Sequence, residues 1–381
     1  MPRDSSDPLL LTPGPVSVSR ATREAMMRDR AGWSPELEEQ IRFSRAYMTA
    51  IMGGGDAYAA IPVPGSATYA NEAIMATLVA PRGKVLVHTN GVYGDRLIEI
   101  AGVLGCAHAV IRTAPFTPPT GDDVAQALQA DAAVTHVMMV HCETSTGILN
   151  PLEDIAAVCL RFGKGFLVDA VASFGAVPID AIALGLQAVS VSSNKCLQGV
   201  PGLGWAVVQR AALEQASGTC RSLSLDLYDQ NQHMDRTNTF RFTPPTHVLA
   251  AFAQALHEHE AEGGVPARLT RYRRNWQRLV DGMRQMGFVT VVPDVHASPI
   301  VATFHNPDDP AFDFTTLYQG MEQRGFIIFP GRLALENTFR IGCMGDVTEA
   351  DIGEALAALA DTLAAMGVAT HGRASAEEAV A

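Results

Sequence analysis

The sequence has little cysteine. Six cysteines stand in 381 residues, at positions 106, 142, 159, 196, 220 and 343, with no CxxC pair and none at zinc-ligand spacing from a histidine. A disulfide framework and a Cys/His metal site are therefore not expected, and free thiols in a reducing compartment are. Long apolar runs are missing as well. Val134–Val140 is far too short to span a bilayer, so no membrane partner is expected. The opening residues, MPRDSSDP, carry no apolar core behind a basic stretch, so a cytoplasmic location is expected. Positive charge is outnumbered: 28 Lys and Arg against 40 Asp and Glu leave a net charge of −12. That field opposes nucleic acid and anionic membranes as partners. No glycine-rich dinucleotide fingerprint follows any predicted strand, and no Gly-Lys-Ser/Thr loop occurs, which disfavours a nucleotide-binding dehydrogenase or a P-loop enzyme.

What is present is apolar and regular. Hydrophobic residues make up 48% of the chain and charged residues only 18%, enough for a large buried core. Short apolar runs read as buried strands: 84–88, 109–112, 134–141, 165–169, 188–193 and 205–208. Between them 68–79, 95–104, 152–162 and 211–216 read as helices. Alternating strands and helices imply an α/β fold with a mainly parallel sheet, whose ligands bind at the carboxyl ends of the strands. After about Pro245 the rhythm changes. Helices at 248–259, 267–286, 314–323 and 349–366 enclose strands at 288–292, 300–304, 326–329 and 338–342. The expected organisation is an arm over 1–15, a large α/β domain over 16–260, a smaller α+β domain over 261–368 and a tail over 369–381.

Chemistry-bearing residues fall at the strand ends. Lys195 follows the strand before Cys-Leu-Gln-Gly, where desolvation would lower its pKa and favour the nucleophilic free amine. Taken alone it is more simply a solvated lysine. Asp169 ends the strand GFLVD, and a carboxylate at the mouth of a buried strand needs a cation or several N–H donors. Ser66, Ala67 and Thr68 open a helix and form a cup for an anion, or else an ordinary cap. Tyr93 follows another strand and suits stacking on a flat ring, or plain packing. Glu143-Thr144-Ser145-Thr146 brings hydroxyls to a further strand end. Arg340, between apolar neighbours in a predicted strand, is costly to bury unless it meets an anion or an internal ion pair. An anion cup, a flat-ring neighbour, a carboxylate and a lysine at one sheet edge are what pyridoxal 5′-phosphate (PLP) requires.

The motifs LLLTPGPVSVS, TNGVYGDR, ETSTGILNP, LVDAVASFGAVP, SSNKCLQGVPG, RSLSLDLY, RFTPPTH and FRIGCMGDV carry a resemblance that runs from about Leu10 to Met366. On them the chain resembles the class V aminotransferases of the fold type I PLP superfamily. Within that family it is most similar to the branch that moves an amino group from 2-aminoethylphosphonate to pyruvate. The resemblance implies a Schiff base between PLP and Lys195, Asp169 paired with the pyridinium nitrogen, and Val171 and Tyr93 on the two faces of the ring. It implies that Ser66, Ala67, Thr68 and Asn194 bind the cofactor phosphate, with Thr144 near the ring hydroxyl. It implies Arg340, with Thr12 and Gly14 nearby, on the substrate. It also implies a homodimer with shared active sites, Thr243 reaching the partner's phosphate, and no metal. The expected substrates are an aminophosphonate and pyruvate. Alternatives on the same fold are an alanine–glyoxylate or serine–pyruvate transaminase, or one acting on a hydroxylated aminophosphonate. Arg241 and Arg332 are lesser candidates for positive charge at the site. Ala67 stands where the family has glycine, a change that requires negative φ there.

Overall fold

The structure is a computed structural model and describes residues 7–79, 83–330 and 337–368. Arg332 and the predicted tail lie outside the described residues. The centre is a seven-stranded sheet. Its strands are β1 (Tyr58–Pro64), β2 (Lys84–Thr89), β3 (Ala107–Arg112), β4 (His136–Val140), β5 (Gly165–Asp169), β6 (Leu186–Ser192) and β7 (Leu203–Gln209). The spatial order is β1-β7-β6-β5-β4-β2-β3. β6, β5, β4, β2 and β3 run parallel, and β7 is antiparallel to both of its neighbours. Leu203 faces Pro64 and Gly204 faces Ser192. The ends of β1 and β6 and the start of β7 therefore share one edge with the ends of β2, β4 and β5.

Six of these strands match apolar runs in the sequence; β1 does not. Pro62 and Pro64 interrupt its pattern, and proline cannot donate to a ladder. The strand survives because it lies at the sheet edge, where every second N–H points away from the neighbour. The helix at Pro35–Ala50, capped by Ser34 with proline at its first position, also escaped the apolar pattern, because Ser44 and Thr49 share its buried face with Leu37, Ile41 and Met48. The predicted strand over 288–292 is not one. It holds a single bridge, Thr290 to Phe304, beside the strand Val301–His305.

Residues after Gly264 build a second sheet from Val301–His305, Thr338–Gly342 and Phe329–Pro330. It packs with Leu279, Met283, Leu317 and Leu359 into its own apolar cluster. The N-terminal segment joins this half, since Leu9–Leu10 pairs with Phe326–Ile327. Gly342 lets it pass, as a Cβ there would meet the Thr12 backbone at 2.3 Å from the carbonyl oxygen. No helix among the described residues is long and apolar enough to cross a membrane.

Burial of histidine makes the fold acid-sensitive. Burial pushes His88, His136 and His259 down to about 4 and His141 down to about 3. Between those values and 6.5 the unfolded chain binds more protons, so stability is lost as pH falls. Glu143, raised by burial to about 7, and Asp169 and Asp226, also raised, act in the opposite sense. Four imidazoles outweigh these three carboxyls at about 1.4 kcal/mol per pKa unit each. The thermal midpoint is expected to fall by several degrees between pH 7.5 and 5. A midpoint that holds or rises would contradict this.

Candidate active site

Lys195 sits one short turn beyond β6. The turn is held from the other half of the chain. Gln198, at φ 58°, donates through Nε2 to the Tyr272 hydroxyl at 2.7 Å and also to the Gly345 carbonyl. Arg268, fully buried and paired with Glu262 at 2.7 Å, donates to the Cys196 carbonyl. The Lys195 Nζ donates to the Pro13 carbonyl at 2.7 Å. The next residue, Gly14, has φ +114°, and a Cβ there would overlap the Lys195 ammonium. Only glycine lets the N-terminal segment pass this close. Burial is the main cause that lowers the lysine to about 8, with the nearby Arg340 charge adding to it.

Asp169 ends β5 and is buried. Its Oδ2 accepts from Asn71 Nδ2 at 2.6 Å and its Oδ1 from the Val171 N–H at 3.0 Å. Burial raises its pKa and these bonds lower it. A carboxylate has about four acceptor positions, so two remain for a cation.

Two helices begin at this edge, and their N-termini differ. The helix Val92–Val103 has Gly91 before it and no cap of its own. Its first N–H groups are taken from outside: Val92 by Ser145 Oγ at 3.2 Å, Tyr93 and Gly94 by Glu143 Oε2 at 3.0 and 3.1 Å. The helix Ala67–Ile74 is preceded by Ser66, whose side chain makes no capping bond. Of the two, this is the N-terminus left for an anion. Ala67 lies in helical conformation and is absent from the positive-φ residues, so its methyl is tolerated.

Between these elements lies a cavity of ≈ 190 Å³. It is lined by Ser66, Ala67, Thr68, Tyr93, Asp169, Val171, Asn194 and Lys195, all singled out in the sequence. Asn71, Arg96 and Ser192 also line it and were missed. Two of them were within reach of helical spacing: Asn71 is four residues after Ala67, and Arg96 three after Tyr93, whose ring its guanidinium overlies at 5.0 Å. Ser192 closes the strand before Lys195 and bonds Asn194 Oδ1. Thr12 is buried and accepts from the Gly14 N–H at 3.3 Å.

Arg340 is 0% exposed. Its Nη1 donates to the Thr144 carbonyl at 2.6 Å and its Nη2 to the Pro330 carbonyl at 3.1 Å. The Phe329 ring lies 4.7 Å from the guanidinium carbon. Nε has no partner, and no carboxylate among the described residues pairs with it. The internal ion pair weighed for it is thus absent there. Burial lowers its pKa. Arg241, by contrast, pairs with Asp229 at 3.1 Å and does not line the cavity. Thr243 is exposed and outside the lining of its own chain's cavity.

The chain is similar to known proteins over most of its length. Residues 23–319 match the family described as aminotransferase class-V. A 2-aminoethylphosphonate–pyruvate transaminase of Pseudomonas fluorescens is 45% identical over 95% of this chain and 98% of its own. One from Burkholderia pseudomallei is 46% identical over the same shares. Among solved structures, an alanine–glyoxylate aminotransferase from Nostoc sp. superposes with a TM-score of 0.87 at 25% identity, covering 95% of this chain and 97% of that one. A pyridoxamine–pyruvate aminotransferase from Mesorhizobium loti gives 0.86 at 25%, covering 96% and 94%.

Proposed function

Because the chain belongs to the class-V aminotransferase family, we propose that it uses PLP to transfer the amino group of 2-aminoethylphosphonate to pyruvate, giving phosphonoacetaldehyde and L-alanine. The near full-length 45% identity to enzymes of that name carries the substrate assignment. The cofactor assignment is supported by the fit of the cavity: a helix N-terminus without a side-chain cap for a phosphate, a buried carboxylate with acceptor positions to spare, and a half-buried amine beside them.

PLP bound here would supply an electrophilic carbon for the amine and a ring that accepts the electron pair released at the substrate carbon. Ser66, Ala67, Thr68 and Asn194 would hold its phosphate, joined by Thr243 from a second copy in a homodimer. Tyr93 and Val171 would flank the ring, and Thr144 would face its hydroxyl. Asp169 would keep a proton on the ring nitrogen. Lys195 would carry the cofactor between turnovers and, once displaced, move a proton at Nζ. Its lowered pKa favours the free amine that both tasks need. Residues 16–260 would thus hold the cofactor, while 261–368 would supply Arg340 and the arm over 1–15 would supply Thr12 and Gly14 at the entrance. Two half-reactions over one site imply ping-pong kinetics. The enzyme would act in the cytoplasm.

Arg340 would bind phosphonate in one half-reaction and carboxylate in the other, because its fork suits both anions. Arg340→Ala is expected to lower kcat/KM for both substrates by about 10- to 100-fold, the worth of a charge-assisted hydrogen bond. Arg340→Lys should recover little, since an ammonium cannot span the Thr144 and Pro330 carbonyls and an anion together. An effect on one substrate only would contradict the shared role. The function itself is tested by coupled detection of alanine from 2-aminoethylphosphonate and pyruvate. A higher kcat/KM with serine, with a hydroxylated aminophosphonate, or with alanine and glyoxylate would overturn the substrate assignment.

A further inference from the structure

Glu143 is a fully buried carboxylate that the scheme above leaves without a role. All four of its bonds come from donors. Oε2 accepts from the Tyr93 and Gly94 N–H groups, at 3.0 and 3.1 Å. Oε1 accepts from the Ser145 N–H at 3.2 Å and from the Ser145 hydroxyl. That hydroxyl oxygen in turn accepts from the Val92 N–H. Burial works against the charge, yet four donors and a helix N-terminus favour it. The fit is close: a Cβ on Gly91 would stand 2.5 Å from the Glu143 Cγ and Cδ.

The carboxylate grips the turn that bears Tyr93. The next residue, Thr144, gives its carbonyl to Arg340. The segment is pinned again at Thr146, whose carbonyl accepts from Thr303 Oγ1 at 2.7 Å, and Thr303 faces Arg340 across the second sheet. One short loop therefore connects the ring neighbour of the cavity with the buried guanidinium.

We propose that Glu143 is a positioning residue: by capping the Tyr93 helix from a neighbouring strand, it sets that ring against the cofactor and joins it to the Arg340 anchor. This rests on the reading that PLP occupies the cavity beside Tyr93. A cap that served only folding would lower stability and leave cofactor affinity alone. A positioning residue acts through Tyr93, so its effect disappears when that ring is absent.

The test is a thermodynamic cycle on PLP affinity, read from the absorbance of the apo-protein titrated with PLP. Glu143→Gln is expected to weaken binding about tenfold, the size of a lost aromatic stacking contact. Tyr93→Ala should do the same, and the double variant should be no weaker than Tyr93→Ala. Ser145→Ala keeps the carboxylate and removes one of its anchors; about a threefold loss is expected, so the proposal does not hang on whether Glu143→Gln folds. Unchanged affinity in Glu143→Gln and Ser145→Ala, or losses that add in the double variant, would overturn the positioning role alone. A wild-type protein that binds no PLP would overturn the function from which it starts.

Discussion

Lys195→Ala should reduce turnover by at least about 10⁴-fold, the upper range for a group that both carries covalent chemistry and moves a proton. No other described residue lining the cavity has an amine to substitute for it; the remaining cationic side chain there is Arg96, a guanidinium. The loss should be in kcat, with PLP still taken up, because Ser66, Thr68 and Asp169 are untouched. Added small amines should restore part of the rate. An alanine variant active without added amine would refute the assignment of the lysine. The pH dependence of the apo-protein gives a separate sign. Lys195 is lowered from 10.5 to about 8, so its own contribution to stability grows with pH between those values, against the thiols that burial raises above 9.0, whose contribution falls over the upper part of that range. The stability of wild type relative to Lys195→Ala should therefore rise between pH 8 and 10.5.

Asp169→Asn carries the second large effect, an expected fall in kcat of about 10²–10³-fold, comparable to removal of one preorganised electrostatic group. The substitution is structurally mild. The new amide would set a donor against either Asn71 or Val171, but Asn71 can turn its own amide, whose Oδ1 is buried without a partner. Shape is retained and charge is removed. Stability should move the other way. Asp169 has a raised pKa in the folded chain, so its ionised form costs stability at neutral pH in the apo-protein, and the asparagine variant should melt at the same temperature or higher. A variant with near wild-type kcat would show that the carboxylate does not serve a ring nitrogen. One that is inactive and unfolded would leave the loss explained by packing alone and so contradict the charge argument.

The residues that line the cavity were more legible in the sequence than the scaffold around them. Lys195 follows one apolar strand and Asp169 ends another, and a strand of five or six buried residues is plain in a sequence because both faces are apolar, whereas the Ser66–Thr68 cup is legible only from the helix that it opens. The strand Tyr58–Pro64 was hidden by two prolines that only an edge position permits. Asn71 and Arg96 were hidden for a different reason. A polar residue inside a helix has no signature of its own, and only its spacing from a neighbour already placed at the site, Ala67 or Tyr93, marks the face that it occupies. Glu143 was visible, but as one member of a polar run. Its reach to Tyr93 crosses 50 residues of chain and depends on β4 lying beside β2. Arg340 was legible from the expense of burying it, but its actual partners were not: the buried guanidinium meets two backbone carbonyls in place of an ion pair.

The central claim is that PLP is carried on Lys195 in this cavity. Reduction of the PLP-loaded protein with borohydride, followed by digestion and mass measurement of the peptides, tests it in one step. The account predicts a reduced cofactor fixed to the peptide containing Lys195, and none in Lys195→Ala. Cofactor fixed to a different lysine, or released unbound after reduction of the wild-type protein, would contradict it.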